Sequence, residues 1–447
     1  MNSILKIKVL VIIAAVLASS GKIATCGPAN NPATAVPSDS LSLKDIIAEV
    51  IKSHPTIKGV EETLNNADAR IGLAKTGSYP QIDLGANYSF LGPVTKITIP
   101  NMGTFQLYPQ NNYSASVNFR EVIYDFGRTK QTVEVESESK TIVEKALDQA
   151  RQKLSAAAIN NFYTIAFLQD AIVIKDEQLA ALKEHLRYVE ALKATGSAND
   201  YQILSTKVKI STIESQKVDL IASLTLQQSY LNCLLGLSEK NTPVVKKELF
   251  VTQQVIPADS LLSFAFRNRD EILINNDKVK LAQLRYELIK TTNKPYVNFM
   301  ASGGAKNGYL PNLNEPQANY IVGVGLTVPL YDGMKTKYNL AQAESAIHSV
   351  NFDNESAKRT ITSEVIEAVS YMNAAIQKVG QFELQLEQAL KAYSLAETSF
   401  RAGSITNLDL LDSNTTVSES RLMLLKAKID YAASIYRLKA ALGERLY

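Results

Sequence analysis

Two short stretches carry the chain's most regular polar chemistry: VIYDFGRTK at residues 122–130 and PLYDGMKTK at residues 329–337. Each sets a Tyr-Asp pair ahead of a glycine, a basic residue and Thr-Lys. An aspartate at the start of a helix can accept hydrogen bonds from the unpaired first-turn N–H groups. A tyrosine at the edge of a membrane segment can seat its ring in the interface. Asp125 and Asp332 are therefore candidate helix caps, Tyr124 and Tyr331 candidate interface aromatics, with Gly127 and Gly333 beside them. None of this is catalysis. His54, His185 and His348 lie far apart without ligand spacing, which argues against a zinc site. No Gly-rich phosphate loop is present. The formal net charge of +3 comes without a dense basic run, so no nucleic-acid face is expected. The reading is of a non-enzyme without cofactor or metal.

The elements around these motifs are duplicated. Tyr124 and Tyr331, Gly196 and Gly403, and Gly236 and Gly443 are each 207 residues apart, while Arg70 and Arg285, Lys75 and Lys290, and Pro80 and Pro295 are 215 apart. The difference places an eight-residue deletion between Pro295 and Tyr331, in a loop of variable length. Two repeats, 41–237 and 260–447, are duplicated domains rather than solenoid units. In each, a helical period changes to alternation and back. The periodicity predicts helices over 42–78 and 260–292, then strands over 81–90, 113–123, 296–304 and 319–330. Long helices follow over 128–195 and 335–402, and returning helices over 200–236 and 406–443. A connector, 238–259, joins the halves and contains a strand-like ELFVTQ. Along the second long helix a heptad seam runs from Leu340 through Ala343, Ile347, Ile361, Val365, Met372 and Val379 to Phe400, the signature of a coiled coil.

The N-terminus reads as an export signal over residues 1–26: Lys6 and Lys8 precede an apolar run too short to span a bilayer. Cleavage falls near Ser20, or before Cys26 with lipid attached there. Residues 27–40 form a flexible linker. Cys233, in SYLNCLLGL, reads as a buried thiol.

In QIDLGANYSF, Ile82, Leu84, Ala86, Tyr88 and Phe90 share one face and Asp83, Gly85, Asn87 and Ser89 the other. The strands are about as long as tilted membrane strands, but four cannot close a barrel, which needs about eight or more. Strands in a membrane must therefore be pooled by several chains. Exported chain, pooled strands and helices of about 100 Å describe a mainly α protein whose membrane β-barrel continues as a helical coiled-coil tube. The alternative is a secreted or periplasmic coiled-coil structural protein or adhesin.

The chain resembles the TolC-type outer-membrane efflux channels from about residue 40 to its end. The resemblance rests on NFREVIYDFGRTK, TVPLYDGMKTK, the duplicated element order, and FRAGSITNLDLLDSNTTV at residues 400–417. It implies a homotrimer in outer-membrane lipid with a twelve-stranded barrel and a periplasmic α-helical tunnel. It further implies a periplasmic adaptor, an inner-membrane transporter, and passive export of solutes or proteins. Two adjacent glycines usually follow the family's Tyr-Asp; this chain keeps one per half. Aligned on Gly403, Asp409 and Asp412 fall at the family's aperture aspartates. Six carboxylates around one axis would favour cations and raise each other's pKa. Thr406 and Asp409 equally have the spacing of a capping box. Phe400 and Ile405 stand where the family has its gate-link Tyr and Arg, and Gln202 stands opposite Asp409 in the first half. The hairpin tips expected to meet the adaptor hold Ala194, Gly196, Ser197, Ala402, Gly403 and Ser404, which a tight turn would also require.

Overall fold

The computed structural model describes residues 41–238, 244–246 and 258–447. The expected signal segment with Cys26, the linker, and ELFVTQ lie outside the described residues.

The expected helix 42–78 is two helices and a 3-10 turn. In α1 (Leu43–Ser53), Ser42 caps Asp45. Pro55 then holds His54 in extended backbone, because the residue before a proline is excluded from the helical region, and α2 (Pro55–Lys75) restarts with proline at its first turn. The second half breaks equivalently without a proline, into α5 (Ala258–Asn268) and α6 (Asp270–Thr291). There the cause is tertiary. Arg269 is extended between them, bonded to Glu271 at 2.9 Å, Glu364 at 2.6 Å and the carbonyl of Ala440 at 3.2 Å. A Cβ on Gly443 would lie 2.7–2.8 Å from the Asn268–Arg269 backbone, so this close approach requires glycine.

Strands β1 (Gln81–Phe90), β4 (Asn111–Tyr124), β5 (Tyr296–Lys306) and β6 (Gln317–Thr327) form one antiparallel sheet in the order β1-β4-β5-β6. The connection from β1 to β4, where the periodicity predicts no strand, holds a further hairpin, β2 (Lys96–Ile99) and β3 (Gly103–Gln106). The β5–β6 connection is only residues 307–316, as the eight-residue deletion requires. The register aligns Leu84 with Val117, Val117 with Gly303 and Gly303 with Tyr320. The same parity collects Ile82, Phe119, Ala301 and Val322 on one face. Asp83, Asn118 and Ser302 share the other, where Asn118 donates to Asp83 at 2.8 Å and Ser302 donates to Asn118 at 2.9 Å. The sheet is apolar on one side and polar on the other, and β1 and β6 are open edges.

Two helices of 67 residues leave the sheet: α3 (Arg128–Ala194) and α7 (Lys335–Arg401). Each turns back into a 36-residue partner, α4 (Asp200–Leu235) and α8 (Asn407–Leu442). Every named seam residue of α7 is buried or half-buried. On the sheet side α2, α3, α6 and α7 lie in sequence, each packed on the next. Beyond the middle, α8 packs on both α3 and α7 while α4 flanks α3. Short helices thus line opposite halves of each long one. Apolar cores at mid-height join α1, α3, α4 and α8 through Ile46, Phe162, Leu231 and Ile429, and α5, α7 and α8 through Ala265, Val365 and Tyr431. One stretch of α3 is apolar enough by composition to cross a membrane, but half of it is buried, as befits a core helix. The C-terminal tail clasps this level: Arg445 bonds Asp270 at 2.6 and 3.0 Å, and Gln152 donates to the Glu444 carbonyl at 2.7 Å. Cys233 is exposed, not buried, because it faces away from Leu231, Leu234 and Leu235, the residues that α4 commits to the core.

Candidate functional site

At both sheet-to-helix junctions the aspartate caps the helix from a distance. The Gly127 N–H donates to Asp125 Oδ1 at 3.0 Å and the Thr129 N–H to Oδ2 at 2.7 Å. In the second half the Thr336 N–H donates to Asp332 Oδ2 at 2.8 Å, with Asn293 at 3.2 Å. Burial pushes the Asp125 carboxyl up, but the hydrogen bonds from Thr129, Gly127 and Arg128 outweigh it and hold the pKa below its ordinary value. Asp332 is likewise lowered, chiefly by Thr336. To bring these oxygens over the first turn the chain spends two residues in left-handed backbone: Phe126 (φ 53°) and Gly127 (φ 91°), then Gly333 (φ 67°) and Met334 (φ 64°). Phe126 corresponds to Gly333 and Gly127 to Met334. Each half has one glycine and one non-glycine in a pair of positions that both favour glycine. Tyr124 packs edge-on against Phe126 at 4.6 Å, and both are exposed, as is Tyr331. With Tyr88, Phe90 and Tyr113 toward the far end, aromatic residues flank an apolar face about 25 Å tall, given roughly 3.3 Å per residue and the usual strand tilt.

The opposite ends of the long helices are tight hairpins. The Ser197 N–H donates to the Leu192 carbonyl at 2.9 Å across left-handed Gly196, and Ser404 repeats the bond to Ser399 at 2.9 Å across Gly403. These are Schellman closures. Ala194, Gly196, Ser197, Ala402, Gly403 and Ser404 are all exposed. The returning helices begin with capping boxes at matching positions. Asn199 pairs with Gln202 at 3.1 and 3.4 Å, and Thr406 with Asp409 at 3.2 and 2.9 Å. The Gln202–Asp409 correspondence is thus a shared cap. Only Asp409 adds charge, and within one chain its hydrogen bonds to Thr406 lower its pKa, the reverse of what crowding six carboxylates would do. Asp409 and Asp412 are exposed on one face of α8, continued by Thr416 and Glu419 at alternating spacings of three and four. Ile405 is half-buried.

What joins the two hairpins was missed in the sequence. Asn407, 3 % exposed, donates from Nδ2 to the Gln202 carbonyl, Ser205 Oγ and Thr206 Oγ1 of α4, each at 3.2 Å. Its Oδ1 lies 2.6 Å from His185 Nε2 of α3. Phe400 covers the knot, edge-on to His185 at 5.3 Å and Tyr188 at 6.3 Å. A polar knot under an aromatic lid occupies the place where the resemblance put gate links. Asn407 was legible only as a neighbour of the cap, and a lone histidine has no local signal. Among the described residues, no group of three or more His, Cys, Asp or Glu is placed to hold a metal.

A sheet with one apolar and one polar face, rimmed by aromatics and continued by 67-residue helices, defines an outer-membrane duct protein with a long helical extension. The chain belongs to the outer membrane efflux protein family, matching its sequence pattern over residues 46–237 and 261–444. It is 21 % identical over 411 residues to the outer membrane protein TolC of Vibrio cholerae, covering 90 % of each chain. It is also 21 % identical over 338 residues to the alkaline protease secretion protein AprF of Pseudomonas aeruginosa, covering 74 % of this chain and 70 % of that one. The crystal structure of the Vibrio cholerae outer membrane protein VceC shares the fold, with a TM-score of 0.75 at 17 % identity over 91 % of this chain and 97 % of that chain. The protein is an exit duct of the outer membrane, and the adhesin alternative falls.

Proposed function

We propose that three copies pool their strands into one twelve-stranded barrel, continued by a helical tunnel through which cargo leaves passively. Its work is conduction rather than chemistry. The observation that carries this is the sheet itself: four strands per chain, a continuous apolar face, and two edges that would leave backbone groups unpaired in lipid. The polar face lines the lumen. At the far end the exposed pair Asp409 and Asp412 from each copy rings the mouth and attracts cations. The Gly196 and Gly403 tips, whose small residues admit a second helical hairpin, receive a periplasmic adaptor that links the duct to an inner-membrane transporter. The deciding test is the mass of the detergent-extracted particle: three chains are expected, and a monomer would overturn the proposal. In planar bilayers, Asp409→Ala with Asp412→Ala should weaken block by multivalent cations; unchanged block would remove the aspartate ring.

A further inference from the structure

The β2–β3 hairpin is not a loose loop. It prolongs the β1–β4 ladder beyond the rim, with the Leu91 N–H donating to the Gln110 carbonyl at 2.8 Å and the Leu107 N–H to the Thr95 carbonyl at 3.2 Å. Its two faces differ. Thr98 and Thr104 pair across one at 2.9 Å. Ile97, Ile99 and Phe105 share the other, with Ile97 opposite Phe105 in register. All three are exposed, and Met102 at the turn is 70 % exposed. A two-stranded hairpin alone in water is marginal, so an ordered apolar face of this kind needs a surface to pack on.

The topology identifies that surface. The hairpin grows from β1, an open edge, and closing a ring of copies pairs that edge with β6 of the next copy. The loop leading into β6 is held firmly on its own chain. Asn307, buried, donates to the Asn111 carbonyl at 2.6 Å and accepts the Tyr113 N–H at 2.9 Å. Tyr113 in turn donates to the Asn314 carbonyl. So pinned, the loop projects Leu310, 73 % exposed, with Pro311 beside it. We infer that the Ile97–Ile99–Phe105 face of each β2–β3 hairpin packs on the Leu310 loop of the neighbouring copy, so that a second copy of this chain is its partner and three such clasps brace the outer rim. The inference rests on the three-chain ring proposed above and adds to it a contact outside the barrel wall.

Cysteine pairs test it, because a disulfide forms only where two Cα atoms come within about 7 Å. Phe105→Cys combined with Leu310→Cys, oxidised in isolated outer membranes, should convert the three-chain particle into a covalent trimer that reductant dissolves. A second pair, Met102→Cys with Pro311→Cys, guards against a poorly folding first one. The unmodified chain, with its exposed Cys233, is the blank. No covalent bond from either pair in an intact three-chain particle overturns the clasp and leaves the ring standing. Cross-linking by Phe105→Cys alone also overturns it, since the hairpins then meet one another. A particle that is not three chains removes the ring and the clasp together.

Discussion

The two long helices have the same length and stand 207 residues apart in sequence, yet their surroundings differ. Helix α3 lies inside the chain's wall, with α2, α4, α6 and α8 all packed against it. Helix α7 lies at an end of that wall, where among the described residues α5, α6 and α8 pack on it, and its outer flank shows Tyr338, Phe352, Ile366 and Leu395 to solvent. Ile159 and Ile366 are equivalent residues of the same type; the first is 2 % exposed and the second 52 %. Duplication made two equal helices, and position in the wall made them unequal. The strict seam of α7 is that of a helix with one buried stripe inside the chain. The looser pattern of α3, with Lys175 and Glu138 buried, belongs to a helix surrounded on several sides. An exposed apolar flank on an edge helix is what a helix awaiting another copy should show.

The largest effect should come from that pair of isoleucines. Ile159→Ala removes atoms from the filled core at mid-height and should cost about 2–5 kcal/mol, the usual range for such truncations, seen as a lower melting temperature by circular dichroism. Ile366→Ala should leave the helices of a detergent-separated single chain intact and weaken only the assembly, seen on native gels. Equal losses in the separated chain would erase the distinction between inner and edge helix.

Next come the tips. Asn407 and its first-half counterpart Asp200 both open a returning helix, but Asn407 is buried between the hairpins while Asp200 is exposed and paired with Lys193 of its own hairpin. Asn407→Ala leaves buried groups of α4 without their donor and should cost about 1–3 kcal/mol, with faster hydrogen exchange at both tips and none at mid-height. Asp200→Ala breaks an exposed ion pair and should cost about 0–1 kcal/mol. If both variants exchange alike, the knot does not couple the hairpins.

The junction gives a smaller contrast. Gly127 and Met334 occupy equivalent left-handed positions. Gly127→Ala should lose, and Met334→Gly regain, about 1 kcal/mol, the usual cost of a side chain in that backbone region. Thermal melting that moves the same way for both would show that the two junctions are not the same turn.

These contrasts also explain what could be read in advance. The seam of α7 was legible because a period sustained over many turns survives local noise, and the Tyr-Asp junctions because a change of period marks them. The β2–β3 hairpin was not, because four-residue strands such as KITI and GTFQ offer too few alternations to stand out from the surrounding Pro, Asn and Gly. The break at Arg269 has no local signal, since it is set by Gly443 and Ala440 arriving from the far end of the chain. For the same reason His185 and Asn407 looked unrelated: only the fold brings α3 and α8 together. The exposure of Cys233 followed from the direction of one residue in the locally apolar stretch SYLNCLLGL, which composition does not specify.

The smallest contrast is in acid. Both junction aspartates have folded pKa values below the unfolded value of about 3.9. Each therefore contributes stability that is fully present above that unfolded value and is lost as pH falls through the lower folded one. Asp125 uses both oxygens, one for the Gly127 N–H and one for the Thr129 N–H, whereas Asp332 takes its helix bond and its Asn293 bond on the same oxygen. An amide keeps one acceptor oxygen and loses the other. Asp332→Asn can retain the Thr336 bond, but Asp125→Asn must give up either Gly127 or Thr129. The loss of first-turn protection between pH 5 and pH 2, followed by hydrogen exchange of Thr129 and Thr336, should accordingly flatten in both variants. At neutral pH only Asp125→Asn should already show faster exchange. Equal behaviour of the two at neutral pH would mean that the second oxygen of Asp125 holds nothing that matters, and that the junctions differ only in their glycines.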